Sequence, residues 1–191
     1  MKERILFILS LLVLCWPTEQ TVAQNHSSGD FLISAGVATG GYRRYGNYTN
    51  FSIPAVISAE YGINDELSAG PFITYSRFKY GGIVSYAYAW HVIDVGGRVS
   101  YRFIPLLEQI LEQDINIPKL DVYASFMIGY ENVVYSSKEG PKPAGATTLK
   151  NRVRLGPALG ARYYLRDNIA LFLETGVTNF GSIHAGASFK L

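Results

Sequence analysis

The stretch RVRLGPALGARYYL, residues 152–165, decides the fold of this chain. From Val153 to Leu165 every second residue is apolar or aromatic. The alternate positions from Arg152 to Tyr164 hold three arginines together with glycine, alanine and one tyrosine. Successive side chains of a strand point to opposite faces, so a period of two separates these two sets completely. The stretch therefore predicts a β-strand with one apolar face and one cationic face.

Seven further segments alternate in the same way. They span residues 31–40, 51–61, 67–78, 86–103, 122–132, 169–176 and 182–191. Their connections are short at residues 62–65 and 166–168 and longer at residues 41–50, 79–85 and 136–148. Short turns at one end and longer loops at the other are typical of outer-membrane barrels. The sequence therefore predicts an all-β fold, an eight-stranded antiparallel up-and-down transmembrane β-barrel.

Residues 105–118 do not alternate. Leu106, Leu107, Ile110 and Leu111 are spaced as on one face of a helix, so we expect a short helical periplasmic turn there. The composition agrees with a barrel, because 14 Tyr and 10 Phe together with 19 Gly are unusual in a soluble helical domain. A formal net charge of +2 with scattered basic residues does not provide the clustered basic face that nucleic acid requires.

The N-terminus is typical of a secretory signal peptide. Lys2 and Arg4 precede an apolar run over residues 5–14, which is too short to span a bilayer as a helix, and small residues end at Ala23. We predict a signal peptide at 1–23, an N-terminal tail at 24–29 and a barrel domain at 30–191. The only cysteine is Cys15. A lipoprotein signal would have a small residue before this cysteine, but Leu14 precedes it, so we interpret Cys15 as an ordinary apolar residue of the signal peptide.

The direction of the apolar faces separates a membrane barrel from a soluble exported barrel. With apolar faces outward, the opposite faces fill a lumen that eight strands leave just wide enough for side chains, and no open pore remains. Small residues accompany the charges on those faces, and acids and bases are present in similar numbers, so pairing is possible. The predicted lumen network consists of Glu60, Asp94, Arg98, Arg102, Glu131, Arg152, Arg154, Arg162 and Glu174.

Aromatic residues on the apolar faces fall at the strand ends, as expected for rings at the two membrane interfaces. One predicted girdle, on the side of the short turns, contains Phe31, Tyr61, Tyr101, Phe103, Tyr163 and Phe189. The other contains Phe51, Tyr75 and Tyr130. A soluble barrel has no reason for this banding, so we favour the membrane arrangement.

Several strand segments carry a family resemblance. They are Ala59-Glu60-Tyr61-Gly62, residues 97–103, residues 120–124, Gly129-Tyr130, residues 159–164 and Leu173-Glu174-Thr175-Gly176. With them the chain resembles small outer-membrane β-barrel proteins of Gram-negative bacteria, of the OmpA-like or OmpX-like architecture, and more closely barrels with recurrent Tyr-Gly and Gly-Tyr strand ends. The resemblance covers nearly the whole mature chain. It implies outer-membrane localisation and no activity, because members of such families mostly have none assigned.

The last strand ends in Phe189-Lys190-Leu191, which resembles the terminal signal that the barrel-assembly machinery recognises. It departs from that signal in ending on leucine rather than on an aromatic residue. The expected partners are this machinery during biogenesis, outer-membrane lipid and lipopolysaccharide, with no nucleic acid, and we expect a monomer.

Histidine is the residue that would carry chemistry here. The mature chain has His26, His91 and His184, of which only His184 shares the lumen-facing parity. With Ser182 and Glu174 it makes a nucleophile, base and acid arrangement conceivable, and with it a lipid-modifying enzyme that hydrolyses acyl groups of lipid A or phospholipid. The favoured interpretation places His184 in the interior polar network instead.

No cluster with metal-ligand spacing is present, and we expect no metal and no cofactor. The outer loops contain Tyr42-Arg43-Arg44-Tyr45 and residues 137–142, which would suit contact with carbohydrate, lipopolysaccharide phosphate or another cell. Plain solvated loops are the favoured interpretation. The sequence thus favours a barrel with a structural or loop-mediated interaction role.

Overall fold

The computed structural model describes residues 28–39, 50–51, 53–80, 88–104, 110, 112, 119–137, 150–176 and 182–191. The strands in chain order are β1 Phe31–Thr39, β2 Asn50–Phe51, β3 Ala55–Gly62, β4 Leu67–Tyr80, β5 Tyr88–Arg102, β6 Leu120–Ser137, β7 Arg152–Arg166, β8 Ile169–Gly176 and β9 Ile183–Lys190. The predicted signal peptide and most of the predicted loop residues lie outside the described residues.

The sheet closes on itself. β1 pairs antiparallel with both β3 and β9, and the order continues through β4, β5, β6, β7 and β8 back to β9. β2 is a two-residue strand that extends the wall by pairing with the end of β4. Closure satisfies the backbone groups that an open sheet leaves at its edges. The predicted eight-stranded antiparallel barrel is confirmed.

One predicted strand is broken in the structure. Residues 51–61 were expected to be continuous, but β2 ends at Phe51 and β3 begins at Ala55. Pro54 lies between them and has no amide hydrogen to donate to a ladder. Its carbonyl still accepts a hydrogen bond from the backbone nitrogen of Ala38 at 3.0 Å, so this segment stays against β1. β4 and β6 are longer than predicted, because they continue toward the loops as far as Tyr80 and Ser137.

Both described termini and the short turns gather at one end of the barrel. In the turn between β3 and β4, the Asn64 side-chain oxygen accepts hydrogen bonds from the backbone nitrogens of Glu66 and Leu67, at 3.0 and 2.6 Å. The hydrogen bonds that join β1 to β9 continue as far as Leu191, since Phe31 and Leu191 exchange two backbone hydrogen bonds of 3.2 and 2.8 Å. The short turns therefore lie at one end of the barrel, together with the ends of β5 and β6 that residues 103–119 connect.

Of the predicted helical turn at 105–118, only residues 110 and 112 are described, and Ile110 has a helical conformation. In the part of the chain that the structure describes, there is no helix of the length and apolarity needed to cross a membrane.

The two faces of the wall differ as the alternation predicted. On the outside, Leu155, Leu159 and Leu171 are 58 %, 59 % and 51 % exposed. On the inside lie charged side chains that are 6 % exposed or less, among them Glu60, Asp94, Arg98, Arg162 and Glu174. This arrangement contradicts the alternative in which the apolar faces line the interior.

Candidate functional site

The centre of the barrel is an ionic network around Glu60, a fully buried carboxylate on β3. Its Oε1 lies 3.2 Å from Arg98 Nε and 3.1 Å from Arg162 Nη2, and its Oε2 accepts a hydrogen bond from Ser68 Oγ at 3.0 Å. Arg98 comes from β5 and Arg162 from β7, so a single carboxylate ties together three strands across the lumen.

Glu174 on β8 is the second centre of the network. It pairs with Arg98, accepts a hydrogen bond from the Tyr123 hydroxyl at 2.9 Å and lies 3.2 Å from His184 Nδ1. The Tyr123 ring lies under the Arg162 guanidinium, with 3.9 Å between the guanidinium carbon and the ring centroid. A cation over an aromatic face is favourable when it is shielded from water. Tyr123 therefore contributes both its hydroxyl group and its ring.

Asp121 extends the network toward the short turns. Its Oδ2 lies 3.3 Å from Arg162 Nη1 and 3.8 Å from Arg102 Nε. Arg102 in turn donates from Nη1 to the backbone carbonyl of Asp65 at 2.8 Å, in the turn between β3 and β4. The interior charges are thereby connected to the rim of the barrel.

A second ionic cluster lies nearer the loops. Glu131 is 2 % exposed and accepts hydrogen bonds from Arg152 Nε at 2.9 Å and from Arg154 Nε at 3.2 Å. Arg152 is 43 % exposed, so this cluster borders on the opening of the barrel. Asp94 faces Glu131 across the β5–β6 ladder and is 1 % exposed. The lumen thus holds charged side chains over most of its described length.

Glycines make room for these long side chains. A Cβ atom on Gly160 would lie 2.5 Å from Cζ of the Tyr123 ring, and one on Gly129 would collide with the Asp94 carboxylate. One cavity of about 10 Å³ remains within the network, against Ser34, Ser58 and Phe172, which is room for about one water molecule. The interior around the ionic network is therefore closely packed. The buried ions are tolerated there because they are paired.

All nine side chains predicted for the lumen lie on the inner side of the wall. The structure brings Glu60, Arg98, Arg162 and Glu174 into direct contact, whereas Glu131, Arg152 and Arg154 form the separate cluster near the loops. Sequence reasoning left Asp121 and Tyr123 out of this group. Both share the parity of Glu131 on β6, so the alternation alone would have included them.

The predicted girdle residues near the short turns lie at the strand ends, whereas Tyr75 and Tyr130 lie five and seven residues before the loop-side ends of β4 and β6. Near the short turns, the rings of Phe31 and Tyr61 are 6.4 Å apart and those of Tyr101 and Phe103 are 5.6 Å apart. On the same side, Tyr163 and Phe189 are half exposed. On the loop side, Tyr75 and Tyr130 are 42 % and 51 % exposed. The Phe51 side chain lies outside what the structure describes.

The residues of the conceivable triad are only partly brought together. His184 contacts Glu174, but the imidazole is 2 % exposed and lies inside the barrel. Ser182 is exposed just before β9, where its backbone bonds to Thr39 and Gly176. Glu174 is also engaged by Arg98 and Tyr123, as described above. His26 lies outside the described residues. Within the described ranges, no group of three potential metal-ligating side chains occurs.

Comparison with known proteins gives information on the fold. No family model matches the chain, and no curated protein matches it. Among solved structures, the chain is similar to the outer membrane protein OprG from Pseudomonas aeruginosa, with a TM-score of 0.54, 10 % identity, and coverage of 88 % of this chain and 98 % of that one. It is also similar to Ail, the attachment invasion locus protein of Yersinia pestis, in complex with the heparin analogue sucrose octasulfate. There the TM-score is 0.51 and the identity 14 %, with 86 % of this chain and 99 % of that one covered. The chain therefore has the architecture of the small eight-stranded outer-membrane barrels.

Proposed function

We propose that this chain is an integral β-barrel protein of a bacterial outer membrane, closed by its internal ionic network, with a structural or loop-mediated interaction role. The observation that carries the proposal is the outer wall. Side chains such as Ile57, Leu155 and Leu173 are more than half exposed, and such positions recur around the closed ring. Monomeric soluble proteins rarely expose apolar patches larger than a few hundred Å². Acyl chains are the medium that suits such a surface.

The dimensions of the wall suit a bilayer. A tilted strand needs about 9–11 residues to cross the hydrocarbon core. β5 and β7 have 15 residues each, β1 has 9, and the shortest strands of the ring, β3, β8 and β9, have 8 each. Exposed aromatic side chains such as Tyr163 and Phe189 lie at the short-turn ends of the strands, and a second set, Tyr75 and Tyr130, lies toward the loops. Two such bands agree with placement at two interfaces.

The packed interior favours interaction over transport. Glu60 and Glu174 are each bonded to groups from other strands across the lumen, so a permeating solute would have to break buried ion pairs. We therefore assign contacts with partners to the loops and the outer wall. The loop segments containing Arg43, Arg44, Lys138 and Lys142 fit an anionic carbohydrate or lipopolysaccharide phosphate, and the heparin analogue bound to Ail supports this class of ligand.

Biogenesis follows from the same proposal. Export would remove residues 1–23, and the barrel-assembly machinery would insert the chain through the last strand, which ends at Leu191. We expect a monomer, because a closed sheet has no free strand to pair with a second copy.

Cell fractionation and conductance test this function. The mature protein should sediment with outer membranes, should shift in mobility on a gel between unheated and boiled samples, and should give no stable channel in a planar lipid bilayer. Recovery of folded protein in buffer without detergent would refute the membrane assignment. A steady ohmic conductance from the purified, folded barrel would refute the closed lumen.

The lipid-modifying alternative rests on the Glu174–His184 contact alone. Because His184 is buried inside the wall, acyl chains outside the barrel do not reach it, so we do not favour an enzyme. Replacing His184 by alanine should leave the profile of lipid A and phospholipids in cells unchanged at equal barrel abundance. A changed lipid profile would restore the enzymatic interpretation.

A further inference from the structure

The outer wall carries one polar group of side chains at the loop side of β4, β5 and β6. It comprises Tyr75, Arg77, His91 and Asn132, which we call the outer polar cluster. Arg77 is the cross-strand partner of His91, and in the next row Tyr75 and Asn132 flank Ile93. All four have the parity of exposed neighbours such as Ile93, so they lie on the outward face.

The cluster is organised by a hydrogen bond on the outside of the barrel. The Tyr75 hydroxyl and His91 Nδ1 are 2.8 Å apart, and their ring centroids are 6.0 Å apart. When the hydroxyl donates to Nδ1, the neutral imidazole keeps its hydrogen on Nε2, and a protonated ring also carries a hydrogen there. In that tautomer, as in the protonated ring, His91 offers an N–H group on Nε2, and Arg77 is its cross-strand neighbour.

The sign of the charge on this part of the wall favours an anion. β4, β5 and β6 contain three acidic residues, Asp94, Asp121 and Glu131, and each of them is at most 2 % exposed and points into the barrel. The outward side of the same strands presents Arg77 and His91 instead. A planar guanidinium next to a second donor is well suited to phosphate oxygens.

An apolar surface continues directly from the cluster toward the middle of the wall. Ile73, Val95 and Tyr130 occupy the next row and are 46 %, 51 % and 51 % exposed. The row after that contains Gly97, where an added Cβ atom would have no neighbour within 4 Å. Six residues of β5 separate His91 from Gly97, about 20 Å of extended chain. The wall thus offers an exposed apolar strip of acyl-chain length below the outer polar cluster.

We propose that the outer polar cluster binds the phosphate group of an anionic membrane lipid whose acyl chains lie against the exposed apolar strip of Ile73, Val95 and Gly97. The proposal rests on the membrane placement given under Proposed function. In the leaflet next to the loops of an outer-membrane barrel, the phosphorylated lipid with this chemistry is lipid A. Arg77 binds the phosphate, His91 donates a second hydrogen bond from Nε2, and Tyr75 orients the imidazole.

The experiment uses the mature barrel in nanodiscs of zwitterionic phosphatidylcholine, titrated with lipid A and followed by native mass spectrometry. Arg77→Gln should weaken lipid A binding about tenfold, and His91→Phe should weaken it several-fold, because each removes a hydrogen bond to a charged oxygen. Arg166→Gln is the matched control, since it removes an exposed arginine at the opposite end of the barrel and should change nothing. Dephosphorylated lipid A should bind the wild-type protein as weakly as lipid A binds Arg77→Gln.

Three results would overturn the proposal. The first is equal binding of lipid A to Arg77→Gln and to the wild type. The second is equal binding of lipid A and dephosphorylated lipid A to the wild type. The third is full competition by inorganic phosphate at the same concentration as lipid A, which would indicate a site for free anions. Each variant must keep its heat-dependent gel mobility, and Arg77→Lys supplies a milder change that should retain part of the affinity. A barrel that folds and inserts but fails these comparisons overturns only the lipid site. A protein that folds without detergent overturns the membrane placement itself.

Discussion

Replacing Glu60 by glutamine tests the balance of charge inside the barrel. The central network contains three carboxylates and three guanidinium groups, those of Glu60, Asp121, Glu174, Arg98, Arg102 and Arg162. Glu60→Gln keeps the size of the side chain and an acceptor for Ser68, but it leaves three cations with two anions. The change therefore isolates the effect of charge from that of packing.

The magnitude follows from burial. Glu60 and Arg162 are 0 % and 1 % exposed, so water does not replace the lost partner. Removing one member of a buried ion pair costs about 3–5 kcal/mol, and we expect about 3 kcal/mol because Arg98 keeps Glu174. Glu131→Gln is the comparison, because its partners Arg152 and Arg154 are 43 % and 17 % exposed and lie nearer the opening of the barrel. Pairs open to solvent contribute about 0–1 kcal/mol, so that variant should cost about 1 kcal/mol.

A double variant separates charge imbalance from loss of contact. Glu60→Gln combined with Arg162→Met restores two cations to two anions in the central network. We expect it to lose less stability than the sum of the two single variants, because each single variant strands a buried charge that the double variant does not. The coupling between the two sites should exceed about 1 kcal/mol.

Urea unfolding of the barrel in lipid vesicles measures these values, with the fraction of folded protein read from the gel mobility of unheated samples. The two single variants at Glu60 and Glu131 are compared at equal lipid-to-protein ratio. Equal stability of Glu60→Gln and the wild type within about 0.5 kcal/mol would refute the reasoning, since a change of that size is ordinary for a surface position. Additive losses in the double variant would show that the ions are not coupled.

Three further predictions concern single positions. Leu159 is the middle residue of β7 and is 59 % exposed, so Leu159→Arg should lower the stability of the barrel in vesicles by about 2–4 kcal/mol. Ile63→Arg, in an exposed turn, should leave the stability unchanged. Equal tolerance of both variants would contradict a wall that faces the membrane. Gly160→Val should lower the free energy of unfolding in urea by about 1–3 kcal/mol, because its Cβ atom meets the Tyr123 ring. The control is Gly97→Val, whose side chain points into open space. Equal free energies of unfolding for the two variants would show that the lumen can hold a larger side chain. Tyr123→Phe should cost about 1–3 kcal/mol, because it removes the donor to buried Glu174 but keeps the ring, and an unchanged unfolding midpoint would refute that role.

The alternation of residues predicted most of the architecture because it is a local property. In β7, the apolar set from Val153 to Leu165 fixes both the strand and its outward face without knowledge of any neighbour. The prediction was weakest where the two faces become alike. After Asn132, β6 continues to Ser137 with Val133 and Val134 on opposite faces, so no contrast marks the end of the strand.

The contacts of the network could not be predicted from the sequence. Glu60 and Arg162 are separated by 102 positions, and their meeting depends on the register of every strand between them. Parity placed both side chains in the lumen, but depth along the barrel decides which acid meets which base. Depth also separates the cluster around Glu131 from the central network. The break at Pro54 has a local cause, the missing amide hydrogen, which the alternation pattern does not register.

Site-directed spin labelling along β7 tests the central claim most directly. The only cysteine, Cys15, lies in the predicted signal peptide, so single cysteines can be placed in the mature chain without further changes. Labels at Val153, Leu155 and Leu159 of the barrel in vesicles should collide with dissolved oxygen and be shielded from a water-soluble nickel chelate. Labels at Ile63 and Asp167 in the exposed short turns should instead be accessible to the nickel chelate. Ready access of the nickel chelate to Leu155 and Leu159 would contradict a wall that faces lipid.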